Sequence, residues 1–195
     1  MTTPHQPKQE ASFVQPVTTE GTKFSYRIKL TDNALYTAAT DILVLTCAAN
    51  KTLRVTRAAF SADATAASSL DFYVIRRTIA NTGGTSAAAT ITPHDSTNPA
   101  CVSTALVYTA APTISGSGAA LFDGDHYALP AAASTGYPVL PLVYDYGVRN
   151  NQSLILNAGE AVAINFGAQA VPAGTSAYIT LEFTEEAART ISSLT

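Results

Sequence analysis

The sequence predicts an all-β fold: an antiparallel β-sandwich, jelly roll in topology, with an extended N-terminal arm. Three observations predict it. Apolar and polar residues alternate in several short runs, and Gly, Asn, Ser and Pro gather between those runs. No segment repeats apolar residues at helical spacing, because the abundant alanines come in short stretches broken by Thr, Ser, Gly and Pro. An immunoglobulin-type sandwich ranks second, since the chain has no Trp and so lacks a Cys-Trp-Cys core. A chain of 195 residues without a shift in composition suits one domain. The expected division is an arm over 1–20, a sandwich over 21–187 and a tail over 188–195.

The elements follow in order. Pro4, Pro7 and Pro16 lie among Thr, Gln and Lys with no apolar period, which suits an extended arm. From Thr22, Phe24, Tyr26, Ile28 and Leu30 alternate with Lys23, Ser25, Arg27 and Lys29, an amphipathic strand whose basic side faces water or a partner. Further strands are expected over 41–48, 52–60, 70–79, 101–109, 139–146, 153–156, 161–166 and 176–183, where Val, Ile, Leu and aromatics concentrate. NKT at 50–52 and NTGGTS at 81–86 supply turn residues that tolerate positive φ. Roughly eight to nine strands with no βαβ alternation result. In LNAGEAVAINF, 156–166, Gly159 supplies a turn and Glu160 a solvated entry to a strand that points Val162, Ile164 and Phe166 at the core. The long stretch 110–138 reads as a protruding loop, with FDGDHY inside it, anchored by Phe122 and Tyr127, as a hairpin tip or a short strand.

Composition narrows the partners. Charged residues make up only 13% of the chain against 47% hydrophobic, so part of the surface is polar-neutral or covered by neighbours. The net charge is -3, and Lys and Arg are scattered, which argues against nucleic acid. No basic start with an apolar stretch marks a signal peptide, and no apolar run has the length of a membrane span, so no membrane partner and a cytoplasmic site of synthesis are expected. Cys47 and Cys101 are too few for a disulfide framework and read as reduced, buried thiols.

Chemistry is mostly missing. Asp123, Gly124, Asp125 and His126 form the densest polar group, but the alternating acids and closing Glu of a calcium loop are absent, and a solvated turn accounts for them. His94 and Asp95 sit in a proline-bounded loop. No G-x-S-x-G elbow, P-loop, G-x-G-x-x-G, CxxC pair or HExxH occurs. Glu160, Glu182, Glu185 and Glu186 read as solvated strand ends. Tyr127, Tyr137, Tyr144 and Tyr146 lie in or after the long loop, and core or interface packing is the first account of them, a sugar platform the second. No catalytic residue, cofactor or metal is expected.

Taken together, ITPHDSTNPACVSTALVYTAAPT and VYDYGVRNNQSLILNAGEAVAINFGAQAVPAGTSAYITLEFTEE resemble a group of tailed-bacteriophage and prophage virion proteins. The shared pieces are Thr92, Pro93, Asp95, Asn98 to Ala100, Tyr108 to Ala110, Pro112 and Thr113, Asp145 to Gly147, Gly159 with Glu160, and Glu185 with Glu186. They cover the second half of the domain. The resemblance implies a capsid decoration or cement protein, or a head or collar accessory protein, without catalysis. It implies the major capsid protein or another virion protein as partner, a homo-oligomer with a trimer favoured, and residence in the virion. The rival reading is a receptor- or glycan-binding fibre or spike module, and an esterase- or lyase-like enzyme comes third. Candidate interaction residues are Pro4, Pro7, Phe13 and Pro16 in the arm, and Phe122, Tyr127 and Tyr137 in the loop.

Overall fold

Period-two burial runs through the longest strands of the computed structural model. In β4 (Ser68–Arg77) Leu70, Phe72 and Val74 are buried between partly exposed neighbours, and in β12 (Ser176–Ala187) Ala177, Ile179, Leu181 and Phe183 are. The structure describes residues 24–34, 41–114, 120–131, 140–146, 153–167 and 170–188. Its other strands are β1 (Phe24–Ala34), β2 (Asp41–Thr46), β3 (Lys51–Asp63), β5 (Thr85–Ala88), β6 (Ile91–Pro93), β7 (Thr104–Ala110), β8 (Ala120–Leu129), β9 (Leu142–Asp145), β10 (Leu154–Leu156) and β11 (Ala161–Asn165). No helix occurs among the described residues. The pairing is antiparallel throughout and makes two six-stranded sheets, a β-sandwich. The first runs β10-β3-β12-β1-β6, with β9 also on β3; the second runs β5-β7-β2-β11-β4-β8.

The core lies between the sheets. Tyr26, Ile28, Val55, Phe60, Leu181 and Phe183 from the first sheet meet Leu45, Phe72, Val74, Ile164 and Phe166 from the second. Phe60 joins the two directly, stacking on Phe72 with centroids 4.5 Å apart and tilting against Phe166 at 5.7 Å. Each such ring buried contributes about 1.5–3 kcal/mol. On the opposite, outer face of the first sheet, register places Arg27, Glu182, Arg57 and Asp145 in one row across β1, β12, β3 and β9. The basic side of β1 therefore joins a row of alternating sign, and Arg57 lies 3.7 Å from Glu182 and 3.4 Å from Asp145.

Three expectations change. The stretch 110–138 is not one protruding loop, because β8 occupies 120–129 and pairs with β4 from Ser68↔Leu129 to Arg76↔Ala120. Asp123 to His126 are thus strand residues rather than a turn, and Gly124 leaves room for the Tyr73 ring, which a Cβ there would strike at 2.0 Å. Residues 91–93, which run into the loop of His94 and Asp95 and were not expected to form a strand, pair with β1. The alternation in β11 conceals burial on both faces: Val162 and Ile164 face the core, while Ala161 and Ala163 join Val44, Tyr108 and Leu106 in a second cluster on the outer face.

That outer cluster is closed by a polar network. Asp41 has no exposed surface. Its Oδ1 accepts from Arg77 NH2 at 2.6 Å and Asn165 Nδ2 at 2.6 Å, and its Oδ2 from Arg77 Nε at 3.0 Å and Asn81 Nδ2 at 2.6 Å. A bulge between Ile164 and Asn165 sets Asn165 opposite Asp41. Through Asn81, the segment after β4 is drawn back over the outer face, and Thr82 then bridges Thr113. Asp41→Asn, which leaves Arg77 buried without its counter-charge, is expected to cost about 3–5 kcal/mol in urea unfolding. Asp41→Leu combined with Arg77→Met should cost less than Asp41→Asn alone.

Candidate functional site

Gly159, with φ of 79°, takes the third position of a turn closed by the Glu160 N–H donating to Asn157 O at 3.0 Å. Glu160 does more than mark a solvated strand entry. Its Oε2 accepts from Asn157 N at 2.8 Å, and its Oε1 forms an ion pair with Arg76 of β4. This carboxylate is spent on holding a turn to a strand.

The other C-terminal acids behave alike. Glu186 pairs with Arg54 at 2.7 Å. Glu185, buried at the end of β12, binds the chain leading into β7: Oε1 accepts from Val102 N at 3.1 Å, and Oε2 from Ser103 N at 2.9 Å and Ser103 Oγ at 2.6 Å. The Cys101 thiol donates to the same oxygen at 3.3 Å. Ser103 Oγ in turn accepts from Ala48 N at 3.1 Å, just past β2. One carboxylate thereby ties the first sheet to two strands of the second. Burial by itself raises the Glu185 pKa, but the hydrogen bonds from Ser103, Val102 and Cys101 outweigh it and hold the pKa below its usual value. The expectation of solvated strand ends fails at Glu185, whose apolar neighbourhood on both sides of the sandwich no local pattern announces.

Both cysteines are free thiols; Cys47 is buried and Cys101 partly so. Burial pushes the Cys47 thiol up to about 11. Burial, the Glu185 charge and the hydrogen bond to it push Cys101 up to about 12. Neither suits a nucleophile.

Of the candidate interaction residues, only Tyr127 has its side chain among the described residues. Tyr127 is half-buried, its ring edge-on to Phe60 at 5.1 Å and its hydroxyl donating to Leu140 O at 2.8 Å. Tyr144 and Tyr146 share a strand face and stack at 6.5 Å, and Tyr144 stacks on Phe72 at 6.1 Å. These rings extend the core aromatic stack outward, which leaves them poorly presented to a sugar. Phe122 lies in β8, but its side chain is outside the described residues, as are Pro4, Pro7, Phe13, Pro16 and Tyr137.

His126 and Asp71 face each other across β8 and β4, with Nδ1 and Oδ1 2.8 Å apart, and Tyr73 O–H donates to Asp71 at 3.3 Å. The imidazole is 62% exposed on an open sheet face. No group of three or more His, Cys, Asp or Glu placed to hold a metal occurs among the described residues. Sequence reading found His126 and missed its partner, because the pairing depends on β8 being a strand in register with β4. The chain matches no protein-family model, and no curated protein matches it.

Two outcomes test this assignment of roles. Because the folded Glu185 pKa lies below the unfolded one, its contribution is complete above about pH 4.3 and is lost as pH falls through the folded value. Glu185→Gln should cost about 2–3 kcal/mol near neutrality and flatten that acid limb, read as urea stability against pH. At about pH 8 both thiols of the folded chain should resist iodoacetamide and react once urea unfolds it.

Proposed function

We propose that the chain is a structural component of a phage virion, a capsid decoration or cement protein or a head or collar accessory. The wiring of the strands carries the reading. Set aside β5, β6 and β7, and the first sheet reads β1, β12, β3 and then β9 with β10, while the second reads β2, β11, β4, β8. The chain changes sheet at every connection of this set except from β4 to β8 and from β9 to β10. We read that path as the jelly roll expected from the sequence, two interlocked Greek keys, and the family resemblance implied a virion component on a β-sandwich. A second support is the use of the acids: Asp41, Glu160, Glu185 and Glu186 each join one segment to another. Side chains engaged in that way serve rigidity, which a protein clamped to a capsid lattice needs.

On this reading the partner is the major capsid protein or another virion protein, the protein self-associates, and a trimer is favoured. Light scattering on the intact chain, followed by co-sedimentation with empty phage capsids, tests it. A defined oligomer that pellets with capsids is expected. A monomer that stays in the supernatant would overturn the virion role and bring a receptor- or glycan-binding role forward.

A further inference from the structure

Among the described residues, the second sheet ends at β5 and β8, and the first at β6 and at the β9 and β10 pair. Three of these edges are guarded against a further strand. β8 carries Asp123, Asp125 and His126; β6 is three residues long and ends in Pro93; β10 is three residues long and β9 ends in Asp145. β5 has no such guard. Thr85, Ser86, Ala87 and Ala88 are uncharged and all exposed, so no side chain of this strand is buried. Hydrogen bonds to β7 hold it on one side. Ala89 N donates to Ala105 O at 2.9 Å, so Ala87 and Ala89 turn toward β7, and Ser86 and Ala88 turn their N–H and C=O groups to the open side. At the head of this ladder, where Thr82 bridges Thr113, Ile79 is 56% exposed and Ile114 43%.

We propose that this edge receives residues 8–15 of a second copy's N-terminal arm as an added strand, an inference that rests on the oligomeric virion role above. KQEASFVQ is the proline-free piece between Pro7 and Pro16, long enough to span β5, with Phe13 and Val14 to set against the exposed isoleucines. The direction of the chain favours another copy. β1 is antiparallel to β6, the β1–β6 ladder extends through His94 N donating to Ser25 O at 2.9 Å, and only Ala89 and Thr90 separate β5 from β6. β1 therefore begins beside the His94 end of β6, the end farther along the chain from β5. Each copy gives an arm and receives one, a head-to-tail contact that closes as a ring, of which a trimer is one.

Amide hydrogen exchange on the full chain, with mass by light scattering and capsid co-sedimentation, tests this. The Ser86 and Ala88 amides should exchange at least about 10-fold more slowly in the oligomer than in the diluted monomer. Ala88→Pro, which removes only an outward N–H, Ser86→Lys, which places a charge on the edge, and Phe13→Asp in the arm should each give a monomer that melts where the diluted wild-type monomer does. Fast exchange at both amides in an oligomer that still pellets with capsids would overturn the inference and leave the virion role standing. Slow exchange that persists in a monomer would assign the edge to the chain's own arm and overturn it equally. Fast exchange in a monomer that ignores capsids would remove both readings.

Discussion

A carboxylate removed from water must be supplied with donors, and the closure of the second sheet follows from how Asp41 is supplied. Four of its hydrogen bonds come from the end of β4, from the segment beyond it and from β11. Through Asn81 it holds the chain after Arg77 to the face on which Ala161, Ala163, Val44 and Tyr108 are buried. Burial and the nearby Asp41 charge both raise the Tyr108 pKa, as expected where water has been displaced. Once across, the chain emerges beyond β7, where nothing remains for β5 to cover. The exposed edge at Thr85–Ala88 is thus a consequence of the buried charge, since the crossing that satisfies Asp41 delivers the strand to the margin of the sheet.

Glu185 plays the corresponding part between the sheets. Apolar packing is non-directional and sets how closely two sheets approach, but it specifies poorly how the connecting segments run. A carboxylate that accepts from Val102, Ser103 and Cys101 does specify it, because only one path of residues 101–103 presents those donors together. The result is a rigid double sheet in which the strongest acceptors are turned inward on the chain itself.

Much of the architecture was legible in the sequence. Alternation at 24–30, 70–79 and 176–183, turn residues between the runs and the lack of helical spacing determined an antiparallel β-sandwich, because period-two patterning is a local property of the chain. Gly159 was legible for the same reason: a positive φ at the third position of a turn is a local demand. Two strands escaped notice, and a third was legible only as an alternative to a hairpin tip. β5 has no buried side chain to leave an apolar signature, β6 is too short to show a period, and in β8 Asp123, Gly124 and Asp125 carry turn chemistry that pairing with β4 overrides.

What only the tertiary structure decided is which polar residues are buried and whom they meet. Asp41 and Arg77 are 36 residues apart, Glu185 and Ser103 are 82, and Asp71 and His126 are 55. Nothing near either member of a pair marks it, since the cost of burying a charge is incurred only when distant strands converge. The sequence by itself determined the class of fold and the faces of its longer strands, because hydrophobic periodicity acts over neighbouring residues. The chain crossing over the outer face, the carboxylate tie between the sheets and the edge left unguarded among the described residues were decided by long-range register, which depends on satisfying buried charge and backbone groups across the whole fold at once.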